Sequence, residues 1–576
     1  MSEQQTNVEK YEFEPIKGYP MLKWQGKRPF RSTQYFPAQL KEVYGQEDNS
    51  GWINKIFWGD NLQVMSHLLK EFRGKIDLIY IDPPFDSKAD YKRNIKLKGK
   101  SLASDSSSFE DKQYTDIWSN DEYLQFIYER IVLCRELLSD KGSIYVHCDW
   151  HVSHYIRLIL DEVMGPSNHQ NEIVWCYSGW NKKNKTYFNK RHDNIFYYSK
   201  TEDCYFEPYK LKWESEEEYV KQRKQKVHLD KEGRKFVYSD AGNGKRIARF
   251  LDEAMADGRN IDDVWRIDKL NNSDKSKTGY PTQKPNYLLE RIITSSSPEE
   301  GIVFDCFMGS GTTQAVANKL NRRFIGADIN LGAIQTTTKR LATANASFEV
   351  YNVNNYEIFR NPVEAKELLI EALEVQKLES SSVYDGEKDG YKVKIMPVNR
   401  IATKEDLNEL IANFPYKQFE ARKEANPNQP VEEIMLVCMG HEPSLGATLE
   451  NESGYKLKVQ VVDILRDKSD LTFKYDSEAA IKIEGNKLVV EAFYPRNLLQ
   501  KLSQQKDDVE EWREMVESIM IDWNFDGAVM EPVVIDIPPK DEFVVGEYEI
   551  PEGASNIKVK ITDLLSESYE EVIVHG

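Results

Sequence analysis

At 576 residues the chain is too long for a single hydrophobic core, and two or three domains are expected. Its 40% hydrophobic and 30% charged residues fit a water-soluble globular protein. No apolar run approaches the roughly 18 residues of a membrane span, and the polar residues 1–10 are no secretory leader, so a cytoplasmic protein without a membrane partner is expected. Six cysteines lie scattered with no C-x-x-C pair, as reduced thiols do. The net charge of −18 divides unevenly: residues 351–576 carry 25 Lys and Arg against 45 Asp and Glu, whereas residues 1–350 carry 52 against 50. A nucleic-acid partner would therefore be held by the N-terminal part.

Residues 1–50 form an arm of little regular pattern. Trp24, Lys27, Arg28, Phe30 and Arg31 mix aromatic and basic side chains there, suited equally to a phosphate backbone and to packing over a domain edge. A main domain is expected over 51–345. In it, Ile56-Phe57-Trp58 reads as a strand, and the helix after it sets Leu62, Met65, Leu68 and Leu69 on one face. Asp60 stands where a loop after a parallel strand meets a ligand, and equally where a helix N-cap belongs.

Ile76-Asp77-Leu78-Ile79-Tyr80-Ile81 is a strand buried on both faces, and it stops on Asp82-Pro83-Pro84-Phe85. That end of a strand in an open α/β sheet is where ligands sit. The prolines fix φ and remove two N–H donors, leaving stiff backbone with free carbonyl acceptors. Acceptors beside a flat apolar ring suit a planar base that carries an exocyclic amine; a strand end that tucks Phe85 into the core is the structural alternative. Residues 86–120 read as a long polar loop, mobile or closing over a substrate. A helix over 122–138 and a buried strand over 142–149 follow. His147, Cys148, Asp149 and His151 are metal-ligand types, but a strand-to-helix transition scatters them, and capping and hydrogen-bonding roles are expected with no metal.

Residues 172–177 and 193–198 read as strands, with Lys182, Lys183, Lys185, Lys190 and Arg191 between them. From 200 to 275 sheet-like regularity lapses. Arg223, Lys224, Lys245 and Arg246 there are interleaved with Tyr219, His228, Phe236 and Tyr238. A basic run is ordinarily a solvated helix face; the aromatic interleaving points toward nucleic acid. A helix over 288–295 precedes the strand Ile302-Val303-Phe304-Asp305-Cys306, a glycine turn, a helix over 314–320 and a strand over 323–328. Gly309 and Gly311 let the backbone approach a ligand where a Cβ would collide. Asp328, 23 residues after Asp305, can accept both hydroxyls of a ribose. The third glycine of G-x-G-x-x-G is missing, which favours a cofactor without phosphate, S-adenosylmethionine, with Asp305 taking its ammonium group.

Three motifs carry a resemblance. Asp82-Pro83-Pro84-Phe85, Pro281-Thr282-Gln283-Lys284-Pro285 and Asp305-Cys306-Phe307-Met308-Gly309-Ser310-Gly311-Thr312 resemble, in that order, the catalytic motif, a helix-leading motif and the cofactor motif of the β group of DNA amino-methyltransferases. The likeness spans about residues 20–345, with Cys306 where the family carries a proline. It implies a Rossmann-like α/β sheet with helices on both faces and an inserted target-recognition region over about 200–275. It further implies cofactor contacts from Asp60, Lys284, Asp305, Phe307, Gly309, Ser310, Gly311, Thr312 and Asp328. Asp before Pro-Pro-Phe resembles the N6-adenine enzymes, whereas N4-cytosine enzymes usually carry Ser. The implied reaction flips an adenine out of double-stranded DNA, with Asp82 and the Pro83 carbonyl accepting the N6 hydrogens and Phe85 stacking on the ring. Lys182, Lys183, Lys185, Lys190, Arg191, Arg223, Lys224, Lys245 and Arg246 become the expected DNA contacts. The chain also resembles modification subunits of Type III-like restriction or phage-defence systems, which implies a homodimer and a helicase or nuclease restriction subunit.

Residues 351–576 are expected to be an acidic α+β accessory region of one or two small domains that docks such a partner or only solubilises the chain. Helices are expected over 405–414 and 509–520. Strands are expected over 434–438, 455–464 and 557–563, with a hairpin over 479–492 turning at Glu484-Gly485-Asn486.

Overall fold

The computed structural model describes residues 10–12, 21–34, 38–84, 90–96, 108–115, 120–179, 183–240, 245–271, 274, 276–278, 280, 282–353, 366, 369–370, 373, 375–378, 383–397, 402–438, 445–463, 477–496, 498–499, 502, 509–539 and 542–575. Its contacts divide the chain into two units: Met1–Val353 with Ala480–Ala492 and Leu498–Gly576, and Asn354–Ala479 with Phe493–Asn497.

The first unit is built on a ten-stranded sheet. Its strands in chain order are β1 (Gln39–Tyr44), β2 (Asn54–Trp58), β3 (Ile76–Ile81), β4 (Leu138–Cys148), β5 (His169–Cys176), β6 (His192–Ser199), β7 (Val264–Arg266), β8 (Ile302–Asp305), β9 (Arg323–Asp328) and β10 (Phe348–Asn352). Across the sheet the order is β7-β5-β6-β4-β3-β8-β9-β2-β10-β1. The run from β4 to β10 is parallel, and β6 and β1 enter antiparallel. This is the expected Rossmann-like α/β sheet, and β3 lies at its centre because both its faces are apolar. Ile76, Ile79 and Ile81 enter one core with the helices α1 (Asn61–Phe72), α2 (Asn120–Leu137) and α3 (Ser153–Met164). Leu78 and Tyr80 enter the other with α4 (Asn286–Ser296), α5 (Thr312–Lys319) and α6 (Leu331–Thr343). The one polar residue of β3, Asp77, accepts the Ile302 backbone N–H at 2.9 Å and so fixes the start of β8 against β3.

Several expectations are corrected. Within 86–120, Asp90–Lys96 and Ser108–Thr115 pair as an antiparallel hairpin, so the segment is not wholly loop. Within 200–275, His228–Leu229, Lys235–Asp240 and Arg246–Phe250 form a small sheet whose mixed polar strands bury little and so give no clean alternation. Packing, one of the two readings open for the arm, is seen in its described residues: Trp24 lies edge-on to Tyr128, and Lys27 pairs with Glu162 at 2.7 Å while lying 4.5 Å from the Trp24 ring.

The helix expected over 509–520 is instead a short turn, Trp512–Met515, followed by the strand Val516–Asp522, in which burial on both faces overrides helical spacing. That strand belongs to an antiparallel four-stranded sheet with Val534–Asp536, Asn556–Asp563 and Ser568–Val574. Met520, Phe525 and Met530 enter the same core as Tyr44 and Phe348, and Met530 exchanges backbone hydrogen bonds of 2.9 Å with Lys41 and Val43 of β1. Residues 498–576 therefore belong with the main sheet and not with a separate region starting at 351. The second unit has its own five-stranded sheet, in which Tyr391–Ile395, Glu432–Cys438 and Leu457–Asp463 run parallel. The helices Leu407–Ala412, Tyr416–Ala425 and Leu445–Ser453 complete it.

Candidate active site

The two motif corners stand side by side. β3 and β8 are parallel neighbours, with Leu78 opposite Val303 and Ile79 opposite Phe304, so Asp82 and Asp305 leave the same edge of the sheet one strand apart. Adjacent strands lie about 4.8 Å apart. The segment before α4 spans both corners. Tyr280 faces Gly309, where a Cβ would lie 3.3 Å from its ring, and Lys284 donates to Oδ2 of Asp82. Lys284 was expected at the cofactor; its recorded ion pair is with the acid of the catalytic motif.

The other oxygen of Asp82 is different. Oδ1 is buried and accepts no hydrogen bond from any described residue. It lies 3.3 Å from Nδ1 of His147, a nitrogen that is also 3.1 Å from the Tyr80 hydroxyl. His147 is fully buried at the end of β4, and its Nε2 lies 3.5 Å from Oδ2 of Asp193 at the start of β6. Asp193 also meets Lys269 at 3.5 Å and accepts from the Tyr177 hydroxyl at 3.1 Å. Burial pushes the Asp193 carboxyl up, but the His147 hydrogen bond and charge, with Lys269 and Lys284, hold it down at about 2. Pro83 is buried and Pro84 half-buried, as a stiff strand end requires; Phe85 lies outside the described residues.

The glycine turn follows β8. Gly309 and Gly311 have φ of +51° and +68°, the left-handed region that glycine enters without strain. At Gly311 the neighbour that excludes a Cβ is the protein itself: Thr337 of α6 would lie 2.5 Å away. Arg340 of α6 holds the turn from behind, donating to the Ser310 carbonyl at 3.2 Å, to Thr312 Oγ1 at 3.0 Å and to Asn286 Oδ1 at 2.9 Å. Burial lowers Arg340 to about 10.

Two carboxyls flank the turn, Asp305 buried and Asp328 half-buried. Asp305 accepts from Thr313 Oγ1 at 2.6 Å and the Phe307 N–H at 3.0 Å, yet burial raises it to about 7. Asp328 accepts from the Asn330 N–H at 2.8 Å and the Gly309 N–H at 2.9 Å, and burial raises it to about 6. Neither shift has a cationic side chain among its causes, so a bound cation would find two acids to stabilise. An S-adenosylmethionine molecule, positively charged at its sulfonium and ammonium, fits that deficit.

Asp60 is the α1 N-cap, accepting from the Leu62 N–H at 2.9 Å, and pairs with Arg130 of α2 at 3.3 Å. Arg130 also donates to Asn61 Oδ1 at 2.8 Å, and Asn61 donates to the Cys306 carbonyl at 3.1 Å. The Phe307 ring lies edge-on to Phe126, itself covered by Arg130 at 3.7 Å. His147 takes a hydrogen-bonding place at a strand end, the role expected of it, whereas Arg130, Asn61, Asp193 and Arg340 are not legible in the sequence, where polar residues on helices and strand ends carry no spacing signal.

Cys148 is core, and Asp149 caps the following turn by accepting from His151 N–H at 2.8 Å. Among the described residues no His, Cys, Asp and Glu cluster is placed to hold a metal.

The expected DNA contacts fall in two places. Lys183, Lys185, Lys190 and Arg191 lie in the loop between β5 and β6, at the same sheet edge as Asp82; Lys182 lies outside the described residues. Arg223 ends the helix Glu216–Arg223 and donates to Ser239, Lys224 caps it with φ +51°, and Lys245 and Arg246 are exposed at the strand Arg246–Phe250. The same region holds a groove of about 890 Å³ whose lining adds Arg249, Arg259, Arg266 and Arg291.

Residues 76–339 match the model of the N6 and N4 methyltransferase family described as "DNA methylase". The chain is 26% identical over 363 residues to Type II methyltransferase M.EcaI of Enterobacter cloacae, covering 56% of this chain and 76% of that protein. It is 28% identical over 294 residues to Type II methyltransferase M.HpaI of Haemophilus parainfluenzae, covering 50% and 77%. It is also 28% identical over 197 residues to the Type III restriction-modification enzyme EcoP15I Mod subunit of Escherichia coli, covering 32% and 30%.

Proposed function

We propose that this chain, an S-adenosylmethionine-dependent member of the N6-adenine and N4-cytosine DNA methyltransferase family, methylates adenine at N6 in a specific DNA sequence. The observation that carries the reading is the asymmetry of Asp82: Lys284 occupies Oδ2, while Oδ1 is buried, makes no hydrogen bond with any described residue and meets only the His147 ring nitrogen at 3.3 Å. A buried acceptor without a hydrogen bond costs up to about 1–3 kcal/mol, of which the His147 contact offsets a part and an incoming exocyclic N–H would recover the rest. Adenine N6 is a weak nucleophile because its lone pair is delocalised into the ring. Drawing its hydrogens toward Oδ1 of Asp82 and the Pro83 carbonyl lets the nitrogen pyramidalise.

The cofactor supplies an electrophilic methyl group when bound. Asp305, Phe307, the turn from Gly309 to Thr312 and Asp328 would hold it, with Asp60 acting from the α1 N-terminus. Lys284 holds the Asp82 carboxylate aimed, so that positioning carries much of the rate. Asp82 or water takes the surplus proton after transfer. Asp at this position, where the N4-cytosine enzymes usually carry Ser, supports adenine as the target.

The likeness to Type II methyltransferases and to a Type III Mod subunit supports a role as the modification component of a restriction-modification or phage-defence system. A homodimer and a helicase-like restriction subunit docked on the acidic second unit extend that reading; a native-host pull-down that recovers no helicase would remove the latter.

The test is transfer of labelled methyl from S-adenosylmethionine to genomic DNA, followed by mass spectrometry of the nucleosides and single-molecule sequencing for the target. N6-methyladenine made by the wild type and absent with Asp82→Ala is the expected result. N4-methylcytosine, or no transfer, would overturn it.

A further inference from the structure

The loop between β5 and β6 carries a feature that the methyl transfer itself does not use. Phe188 is 95% exposed and its neighbour Tyr187 61%, an expensive way to present two aromatic rings to water. The loop around them is braced. Asn184 donates to Asn189 across its tip at 2.6 Å, and Lys190 sits 3.0 Å above the ring of Trp150, which projects from the turn after β4. Lys183, Lys185, Lys190 and Arg191 flank the aromatic pair in sequence, and no acidic residue interrupts them between 177 and 192.

The position of the loop relative to Asp82 follows from register. Ile81 pairs with Val146, Cys148 with Asn194 and Cys176 with His192, so both ends of the loop leave the sheet just above the level of Pro83. β6 and β5 are the second and third strands from β3, about 10 and 14 Å away. The loop's roots are also tied into the Asp82 cluster, because Tyr177 and Asp193 hydrogen-bond to each other and Asp193 faces His147. The roots of the loop that carries this exposed ring thus lie at a set height above, and to one side of, the acid.

Asp82 lies at a strand end with a side chain only 18% exposed, out of reach of a base stacked inside a duplex. A base that reaches it leaves its stack, and the gap left behind costs unstacking free energy unless an apolar side chain fills it. We propose that Phe188 is that side chain: a wedge that enters the DNA base stack as the target nucleotide swings toward Asp82, with the surrounding cations seating the loop on the flanking phosphates. The proposal rests on the DNA-methyltransferase reading above and adds a residue that acts on the duplex without touching the reacting atoms.

The experiment compares Phe188→Ala, Phe188→Trp and wild type on two duplexes carrying the sequenced target, one fully paired and one with an abasic site opposite the target base. On the paired duplex Phe188→Ala should lose roughly 10- to 100-fold in kcat/KM, and on the abasic duplex, where extrusion is already cheap, it should come within about threefold of wild type. Phe188→Trp should stay close to wild type on both. The enhanced fluorescence of 2-aminopurine at the target position, present with wild type, should be lost with Phe188→Ala on the paired duplex. Melting temperature and cofactor affinity should not move, since the side chain is in solvent. Equal losses on both duplexes, no loss at all, or a change in oligomeric state in place of the DNA effect would overturn the wedge alone. No methyl transfer by wild type would overturn the parent reading, and the wedge with it.

Discussion

Lys284 donates to Oδ2 of Asp82 across 202 positions of chain, and this single ion pair joins the segment before α4 to the end of β3. The lysine side chain is 11% exposed and the acid 18%, so the pair works in a medium where a missing partner is felt. Replacing Lys284 by Met should lower kcat about 10- to 100-fold, or about 1.4–2.7 kcal/mol, and leave cofactor affinity within about twofold. Calorimetric titration with S-adenosylmethionine beside single-turnover kinetics checks it. Lost cofactor binding with kcat retained would return Lys284 to the cofactor role expected from its motif.

Cofactor affinity should depend on pH through Asp305 and Asp328. Both carboxyls are raised by burial, to about 7 and about 6, and a cationic ligand prefers them ionised. Binding should therefore tighten as pH rises from 5.5 to 8, roughly tenfold per pH unit below the raised pKa of each acid. Asp305→Asn should flatten the upper part of that profile.

The same shifts govern the ligand-free fold with the opposite sign. A carboxyl raised in the folded state binds protons that the unfolded chain has released, so its contribution is full below about 4 and is lost as pH climbs through 6 to 7. Asp193, held at about 2, contributes above about 4 and loses that contribution only in strong acid. Denaturant titrations without cofactor should show stability declining from pH 5 to pH 8, and added S-adenosylmethionine should restore it at the upper end.

Gly311→Ala should damage the fold before it damages chemistry. The new methyl would meet Thr337 at 2.5 Å and sit on a backbone with φ +68°, together costing about 2–4 kcal/mol. Combining it with Thr337→Ala removes the nearest atoms and should recover part of the loss. Thermal melts of the four proteins in the cycle measure that coupling, and strict additivity would contradict the contact.

Deleting residues 498–576 should unfold the main unit. Met520, Phe525 and Met530 leave the core with it, at about 1.5–3 kcal/mol each, a sum comparable to the whole stability of many domains. A truncated chain ending at 497 that remains folded and binds S-adenosylmethionine would refute this.

What the sequence discloses and what it withholds divide on physical lines. β3, β8 and β9 announce themselves because a strand buried on both faces must be apolar throughout, and the glycine turn because Gly309 and Gly311 have left-handed φ. The basic character of the β5–β6 loop was also legible. Val516–Asp522 was not, since Val509, Trp512, Val516 and Ile519 fall at helical spacing and only tertiary burial makes the segment a strand. The Lys284–Asp82 pair and the Arg130 and Arg340 braces were equally hidden. Each joins residues far apart in sequence, and a polar residue on a helix looks the same whether it faces water or a neighbouring strand end. The second acidic part looked uniform by charge, yet its last stretch folds back onto β1, which composition cannot express.

That fold-back sets an order on synthesis. Phe348 emerges from the ribosome long before Met530, and at about 5–20 residues per second the interval is roughly 10–35 s. Throughout it the outer rim of β1 and the apolar patch around Tyr44 stand open to other nascent chains. The hazard of misassembly is greatest in that window, and a protein still on the ribosome has its glycine bend and acidic-proline corner in hand before it has the last wall of the domain that carries them.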